Sequence, residues 1–220
     1  MANYPTIAQL EPSDGTRLVA LLKRIMRWDQ NAYTRVITKD DAIGFYVEPP
    51  FKVIAHFLFP AFAVTPLIDN MMRVDELLTQ LLSQAEPVKV PLIADFEPFG
   101  LGAKPPEGPW QQGERGIAGD LAPKVQTAIA EFKSKMQSLG ANPSREASES
   151  VANEIWERAG WGGLNLRVLH AAYLLGFLAV PMAQLTTGTC AGWKRMQAPG
   201  GTLYVRPGDS GPRLPLSVVR

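Results

Sequence analysis

"LNLRVLHAAYLLGFL", Leu164–Leu178, admits three readings: a helix that reads DNA, part of a membrane span, or the middle of a hydrophobic core. A groove-reading helix needs an exposed row of Arg, Lys, Asn, Gln, Ser or Thr to reach base edges and phosphates. Between Leu164 and Leu178 the only strongly polar side chains are Asn165, Arg167 and His170. A helix that is apolar nearly all round belongs to a core or a packed interface. The membrane reading fails on length. The run Ala171–Ala183 is 13 residues and contains Pro181, and Val53–Ile68 is 16 residues and holds His56, Pro60 and Pro66. A span requires roughly 20 apolar residues. The stretch is therefore expected to be core.

Upstream, residues 14–30 read as an amphipathic helix, with Ser13 and Asp14 as N-caps and Leu18, Leu21, Leu22 and Ile25 on one face. Tyr33–Lys39 and Ala42–Glu48 flank a turn at Asp40–Asp41, and Phe51–Phe59 follows as a third strand. Phe51, Val53, Ala55, Phe57 and Phe59 alternate onto one face, as do Ile43, Phe45 and Val47. Ile54 and Leu58 make the third strand's second face partly apolar too, so a cover is expected. A helix at 71–85, striped by Val74, Leu77, Leu78, Leu81 and Leu82, is the candidate. A short strand near Val88–Ile93 comes next. "FEPFGLGAKPPEGPWQQGERG", 96–116, then packs four prolines and five glycines into 21 residues, which reads as a linker or functional loop. Its aromatics Phe96, Phe99 and Trp110 either pin the loop down or line a binding surface.

Beyond it, helices are expected near 119–139 and 146–159. A hairpin, Trp193–Gln197 and Thr202–Arg206 around "APGG", and a last strand at Leu214–Val219 complete the chain. The fold class is α+β: a helix, an antiparallel meander with a covering helix, then three helices and a C-terminal hairpin. The expected organisation is 1–95, a connecting segment 96–117, and 118–220, as one domain or two.

The order helix, helix, "GWGG" turn, helix, hairpin over about 118–206 resembles a winged helix-turn-helix. "SVANEIWERAG" resembles the second helix of that fold, and "LLGFL" resembles its helix end. The resemblance implies duplex binding, which requires a basic excess beside the reading elements. Residues 151–220 hold seven Lys and Arg against three Asp and Glu. The excess lies in the hairpin and tail, so Lys194, Arg195 and Arg206 are the candidate contacts.

"GDSGP", Gly208–Pro212, resembles the nucleophile loop of chymotrypsin-like serine proteases, and implies Ser210 as nucleophile with His56 and Asp95 in the family's order. The surroundings depart from that pattern. His56 sits in an alternating apolar strand, ten residues follow Ser210, and helices are predicted where the family has strands. No catalytic residue is carried over. The two histidines, His56 and His170, have no HExxH spacing and read as core histidines. Cys190, the single cysteine, excludes an internal disulfide and multi-thiolate zinc, and reads as a small buried thiol. Asp95 and Glu97 stand two apart at the loop mouth. No P-loop or dinucleotide fingerprint is present, so neither cofactor nor metal is expected.

A net charge of +1 creates no global pull toward nucleic acid or anionic lipid. The N-terminal "MANYPTIAQLEPSDG" lacks the basic and apolar regions of a secretory signal. These features point to a non-catalytic cytoplasmic binding protein whose partner is another protein or a second copy of the chain. The second reading is a small-molecule binder or enzyme with a dispersed site built from Asp95, Glu97, Trp110 and His56. The third is a degenerate winged-helix nucleic-acid binder; no membrane partner is expected.

Overall fold

The protein's computed structural model describes residues 6–39, 41–65, 67–83, 88–90 and 103–208. Two compact units share them: Met1–Pro105 with Gln197–Tyr204, and Pro106–Met196 with Val205–Arg220. Both are α+β, and each is built on antiparallel strands.

In the first unit, α1 (Pro12–Met26) starts earlier than its sequence signals indicate. Ser13 and Asp14 are not its caps. Pro12 occupies the first turn behind an uncapped Glu11, because a proline's fixed φ and missing N–H suit that position. Leu18, Leu21, Leu22 and Ile25 are buried, as their spacing requires. The meander is β2 (Tyr33–Lys39), β3 (Ala42–Val47) and β4 (Ile54–Pro60). β6 (Asp69–Arg73) flanks β2, and β13 (Gly201–Val205) flanks β4. Ile43, Phe45, Val47, Ala55, Phe57 and Phe59 fill the inner face at 0–1% exposure. The Arg17 guanidinium lies 5.5 Å over the Phe59 ring, which places α1 on that face.

The expected helix at 71–85 is shorter, α2 (Val74–Leu82). Residues 69–73 instead form β6, with Met71 and Met72 pairing with Arg35 and Thr34 of β2. α2 packs beside α1, and Leu58 remains 62% exposed. The outer face at Leu58 is thus not what α2 covers. A small sheet runs in the order β5 (Phe62–Thr65), β1 (Thr6–Gln9), β7 (Val88–Val90). The Gln80 side chain of α2 donates to the Lys89 carbonyl (3.0 Å) and accepts from the Lys89 amide (2.8 Å), capping the main chain of β7.

In the second unit the sheet order is β12 (Trp193–Ala198), β11 (Gln184–Cys190), β8 (Gln111–Ile117). β8 corrects the reading of 96–116 as an unstructured stretch. Its "QQGERGI" hides its alternation because all of Gln111–Arg115 is exposed. α3 (Ala118–Ser138) follows directly, and its first amides donate to the carbonyls of Ala183 and Pro181. α4 (Arg145–Trp156) is capped by Ser144, whose hydroxyl accepts from the Ala147 amide. Ala128, Ile155 and Trp156 form the shared core of α3 and α4, with Phe132, Val151 and Leu166 against it. Arg158 donates two bonds to Glu131, at 2.7 and 2.8 Å, and pins the same pair of helices from outside.

The stretch Leu164–Leu178 becomes β10 (Leu164–Asn165) and α5 (Leu166–Leu175). Its apolar members Leu164, Val168, Leu169, Ala171, Ala172, Leu175, Phe177 and Leu178 are buried at 0–5%. Its three polar side chains are all used internally. Asn165 caps α5 and donates to Glu157. Arg167 donates to Glu157 and Asn153. His170 stacks on Trp156 at 4.2 Å. The order that resembles a winged helix is present, but α5 is packed core and offers no reading face. Among the described residues, no helix is long and apolar enough to cross a membrane.

Candidate binding surface

Trp110 stands just before β8, after the cis Gly108–Pro109 peptide bond. Its indole Nε1–H donates to the Pro106 carbonyl at 3.1 Å. The Arg195 guanidinium, from β12, lies 4.5 Å over the Trp110 ring. Gly188 of β11 makes room for it, since a Cβ there would come within 3.0 Å of the Gln111 carbonyl and 3.3 Å of Arg195 Nε. The Arg195 Nε itself is buried without a hydrogen-bond partner among the described residues, so its main compensation is the ring face. A pocket of about 220 Å³ adjoins, lined by Pro109, Gln111, Thr189, Cys190, Ala191 and Gly192. Ala191 and Gly192 both take positive φ, 48° and 81°, which closes a two-residue hairpin between β11 and β12.

Alternation sends Lys194 to the opposite side of β12 from Arg195. There its Nζ donates to the Gly163 carbonyl at 2.7 Å. Gly163 belongs to the "GWGG" turn between β9 (Ala159–Trp161) and β10, where Gly162 and Gly163 take φ of 59° and 74°. Thr187, 3% exposed, accepts from the Glu114 amide at 2.9 Å. It also fills the space that side chains on Gly113 and Gly162 would occupy, since a Cβ at either would lie 2.4–2.5 Å from it. Trp161 packs the same way on Gly116, whose Cβ would approach the ring to 3.1 Å. The turn, β8 and α3 border a groove of about 570 Å³, lined among others by Glu114, Lys124, Glu157, Trp161, Gly162 and Asn165.

The structure therefore brings Trp110 and Arg195 together and commits Lys194 to the turn. Arg206 follows β13 directly, half-buried. Phe96, Phe99, Asp95, Glu97, Asp40 and Ser210 lie outside the described residues, as does the strand expected at Leu214–Val219. Sequence reasoning does not single out the groove or its glycines. Their signal there is three glycines, at 113, 116 and 162, each facing a bulky partner far along the chain.

The histidines sit on aromatic faces. His56 stacks on Tyr46 at 4.1 Å, with the Tyr204 ring at 6.3 Å. Burial lowers its pKa to about 4. Burial, and then the nearby Arg167 charge, lowers His170 to about 4. Both are neutral imidazoles at pH 7. Cys190 is a free thiol, half-buried in the 220 Å³ pocket. Among the described residues, no three or more His, Cys, Asp or Glu cluster as metal ligands would.

Two family models match the chain. Residues 105–210 match "Domain of unknown function (DUF8185)", and residues 5–96 match "Domain of unknown function (DUF8010)". No curated protein matches. Among solved structures, a DNA polymerase sliding clamp from Pseudomonas aeruginosa has a TM-score of 0.53 at 8% identity, over 95% of this chain and 65% of the clamp. The Helicobacter pylori beta clamp bound to a DNA ligase peptide has a TM-score of 0.54 at 8% identity, over 98% of this chain and 70% of the clamp. A DnaN sliding clamp from Bartonella birtlesii bound to griselimycin has a TM-score of 0.51 at 6% identity, over 92% of this chain and 64% of the clamp. The chain thus spans 65% of the length of the Pseudomonas clamp. At these identities the likeness is one of fold, and the α+β class is that of the sliding clamps.

Proposed function

We propose that the chain is a non-catalytic binding protein of the cytoplasm that works by docking another protein or a second copy of itself. The fold carries this reading. Nearly the whole chain takes the architecture of sliding clamps, and one of those clamps is bound to a peptide of another protein. The single half-buried cysteine suits a reducing compartment. Exposed apolar side chains supply docking material: Leu58, Phe62 and Leu67 in the first unit, Val180 (63%) and Met182 (75%) in the second. Trp110, held rigid by its bond to Pro106 and backed by Arg195, belongs to the proposed surface as a preorganised aromatic anchor. The nucleic-acid reading has less to draw on, because Lys194 and Arg195 are already engaged with Gly163 and Trp110.

Cross-linking in the protein's own cells, followed by isolation through an affinity tag, tests the proposal. A stoichiometric second protein, or cross-links between two copies of the chain, is the expected result. Recovery of the chain without protein cross-links, carrying a small molecule that it converts, contradicts it.

A further inference from the structure

We infer that the groove beside the "GWGG" turn binds a zwitterionic ligand of the amino-acid class, its ammonium on Glu114 and its carboxylate on Lys124. Such binding stands beside protein docking and does not depend on it.

The β8–β11 ladder is irregular where the groove begins. Thr186 faces Arg115 and Gly188 faces Gln112, so Gly113 and Glu114 together oppose Thr187. β8 therefore carries a bulge there, and the Glu114 amide donates to the Thr187 hydroxyl at 2.9 Å. A bulge bends its strand and re-aims a side chain, which is why bulges recur beside functional sites. Here the side chain is Glu114, exposed and lining the groove. Lys124 lines it from the second turn of α3, and is exposed too. The two do not pair with each other. Neither side chain has an ion pair or hydrogen bond among the described residues. Glu157, the third charged group of the lining, is already engaged, accepting from Asn165 at 2.7 Å and Arg167 at 2.9 Å. The groove thus presents one unmatched carboxylate and one unmatched ammonium on separate elements.

That combination selects the ligand. A simple cation meets repulsion from Lys124 and a simple anion from Glu114, whereas a zwitterion satisfies both. One lysine balances a monoanion, which suits a carboxylate better than a phosphate of nearly two charges. Trp161 adds an aromatic wall: it is half-buried, packs on Gly116, and its indole N–H has no acceptor among the described residues. The volume of about 570 Å³ lies within the roughly 300–1,000 Å³ of small-ligand sites. The turn is already braced, by Lys194 on the Gly163 carbonyl and by Thr187 against Gly162, so a ligand has little protein to order. Both charges are open to solvent, which keeps binding weak, with a Kd on the order of 1 mM.

Two-dimensional NMR of the ¹⁵N-labelled full chain tests the site, by following the Trp161 indole N–H during titration with L-phenylalanine to about 20 mM. A saturating shift is expected, and Glu114→Gln and Lys124→Met should each weaken binding roughly three- to tenfold. Half-ligands assign the two ends. Phenethylamine lacks the carboxylate and 3-phenylpropionate lacks the ammonium, and both should bind more weakly than L-phenylalanine. Glu114→Gln should not weaken 3-phenylpropionate, and Lys124→Met should not weaken phenethylamine. The tripeptide Ala-Phe-Ala separates the sources of this chemistry: tighter binding than L-phenylalanine assigns the groove to peptide termini, and weaker binding assigns it to free amino acids. Glu114→Gln keeps the main-chain bond to Thr187, and unchanged melting curves show that both variants are folded. No shift with L-phenylalanine or the tripeptide overturns the inference. So does a half-ligand that binds as tightly as the zwitterion, or binding that both substitutions leave unaltered. None of these results bears on the docking of another protein.

Discussion

Acidification from pH 7 to pH 5 destabilises the protein chiefly through its two histidines, His56 and His170. His56 titrates at about 4 in the fold, against 6.5 for an unhindered imidazole. A depressed histidine favours the neutral form in the native state. Its contribution is therefore complete above pH 6.5 and is lost as pH falls from there toward 4. Integrating proton linkage between pH 7 and pH 5 with these two values gives a loss of about 2 kcal/mol for His56. His170 is lowered in the same sense by burial and by Arg167, with a smaller effect because solvent screens its more open ring. Carboxylates act in a separate window. Burial pushes the Asp69 carboxyl up, but hydrogen bonds from Arg35 and Lys104 outweigh it and hold the group below its ordinary value. Its stabilisation disappears only below about pH 4. The assay is urea unfolding followed by circular dichroism at pH 7 and pH 5, for wild type and His56→Gln. The variant is expected to lose about 2 kcal/mol less on acidification. NMR of the His56 ring should show its protonation near pH 4. A variant with the full wild-type pH dependence, or a His56 ring that protonates near 6.5 in the folded protein, would refute the reasoning.

Leu169→Ala, which truncates a side chain of 0% exposure in α5, should cost about 2–5 kcal/mol in chemical unfolding; a cost below about 1 kcal/mol would show that α5 is not core. Gly162→Ala forces a methyl against Thr187, within 2.5 Å of its Cγ2, at a φ of 59°. It should destabilise by about 1–3 kcal/mol, and Thr187→Ala in the same chain should recover part of that, as a double-mutant cycle would show. Gln80→Ala frees both main-chain groups of Lys89, and hydrogen exchange of the Lys89 amide should quicken without a change in global stability.

Much of the fold is legible in the sequence because its elements are amphipathic. The stripe Leu18, Leu21, Leu22, Ile25 and the alternation Ile43, Phe45, Val47 both encode one buried face, and both are buried. α5 is legible as core because its three polar residues are too few to make a reading face, and the structure spends each of them on a cap, an ion pair or a ring stack. β8 is not legible. Its outward groups face solvent and its inward ones meet Thr187, 73 positions away, so neither face shows the apolar alternation that marks a strand. β6 is hidden because Met71 and Met72 continue smoothly into the helical stripe of α2. The candidate surface is half legible. Trp110 stands out as an aromatic in a Gly/Pro-rich segment, but its partner Arg195 reads in the sequence as a phosphate contact. Only the fold brings Gly188 beneath that guanidinium and so lets it lie on the indole.

Native mass spectrometry of the protein, purified gently from its own cells, addresses the central claim most directly. The account predicts a multiple of the 24.1 kDa chain mass, or the chain together with a second protein, in either case reverting to the bare chain on dilution or denaturation. A bare monomer at every concentration, or a monomer heavier by the mass of a retained small ligand, would contradict it.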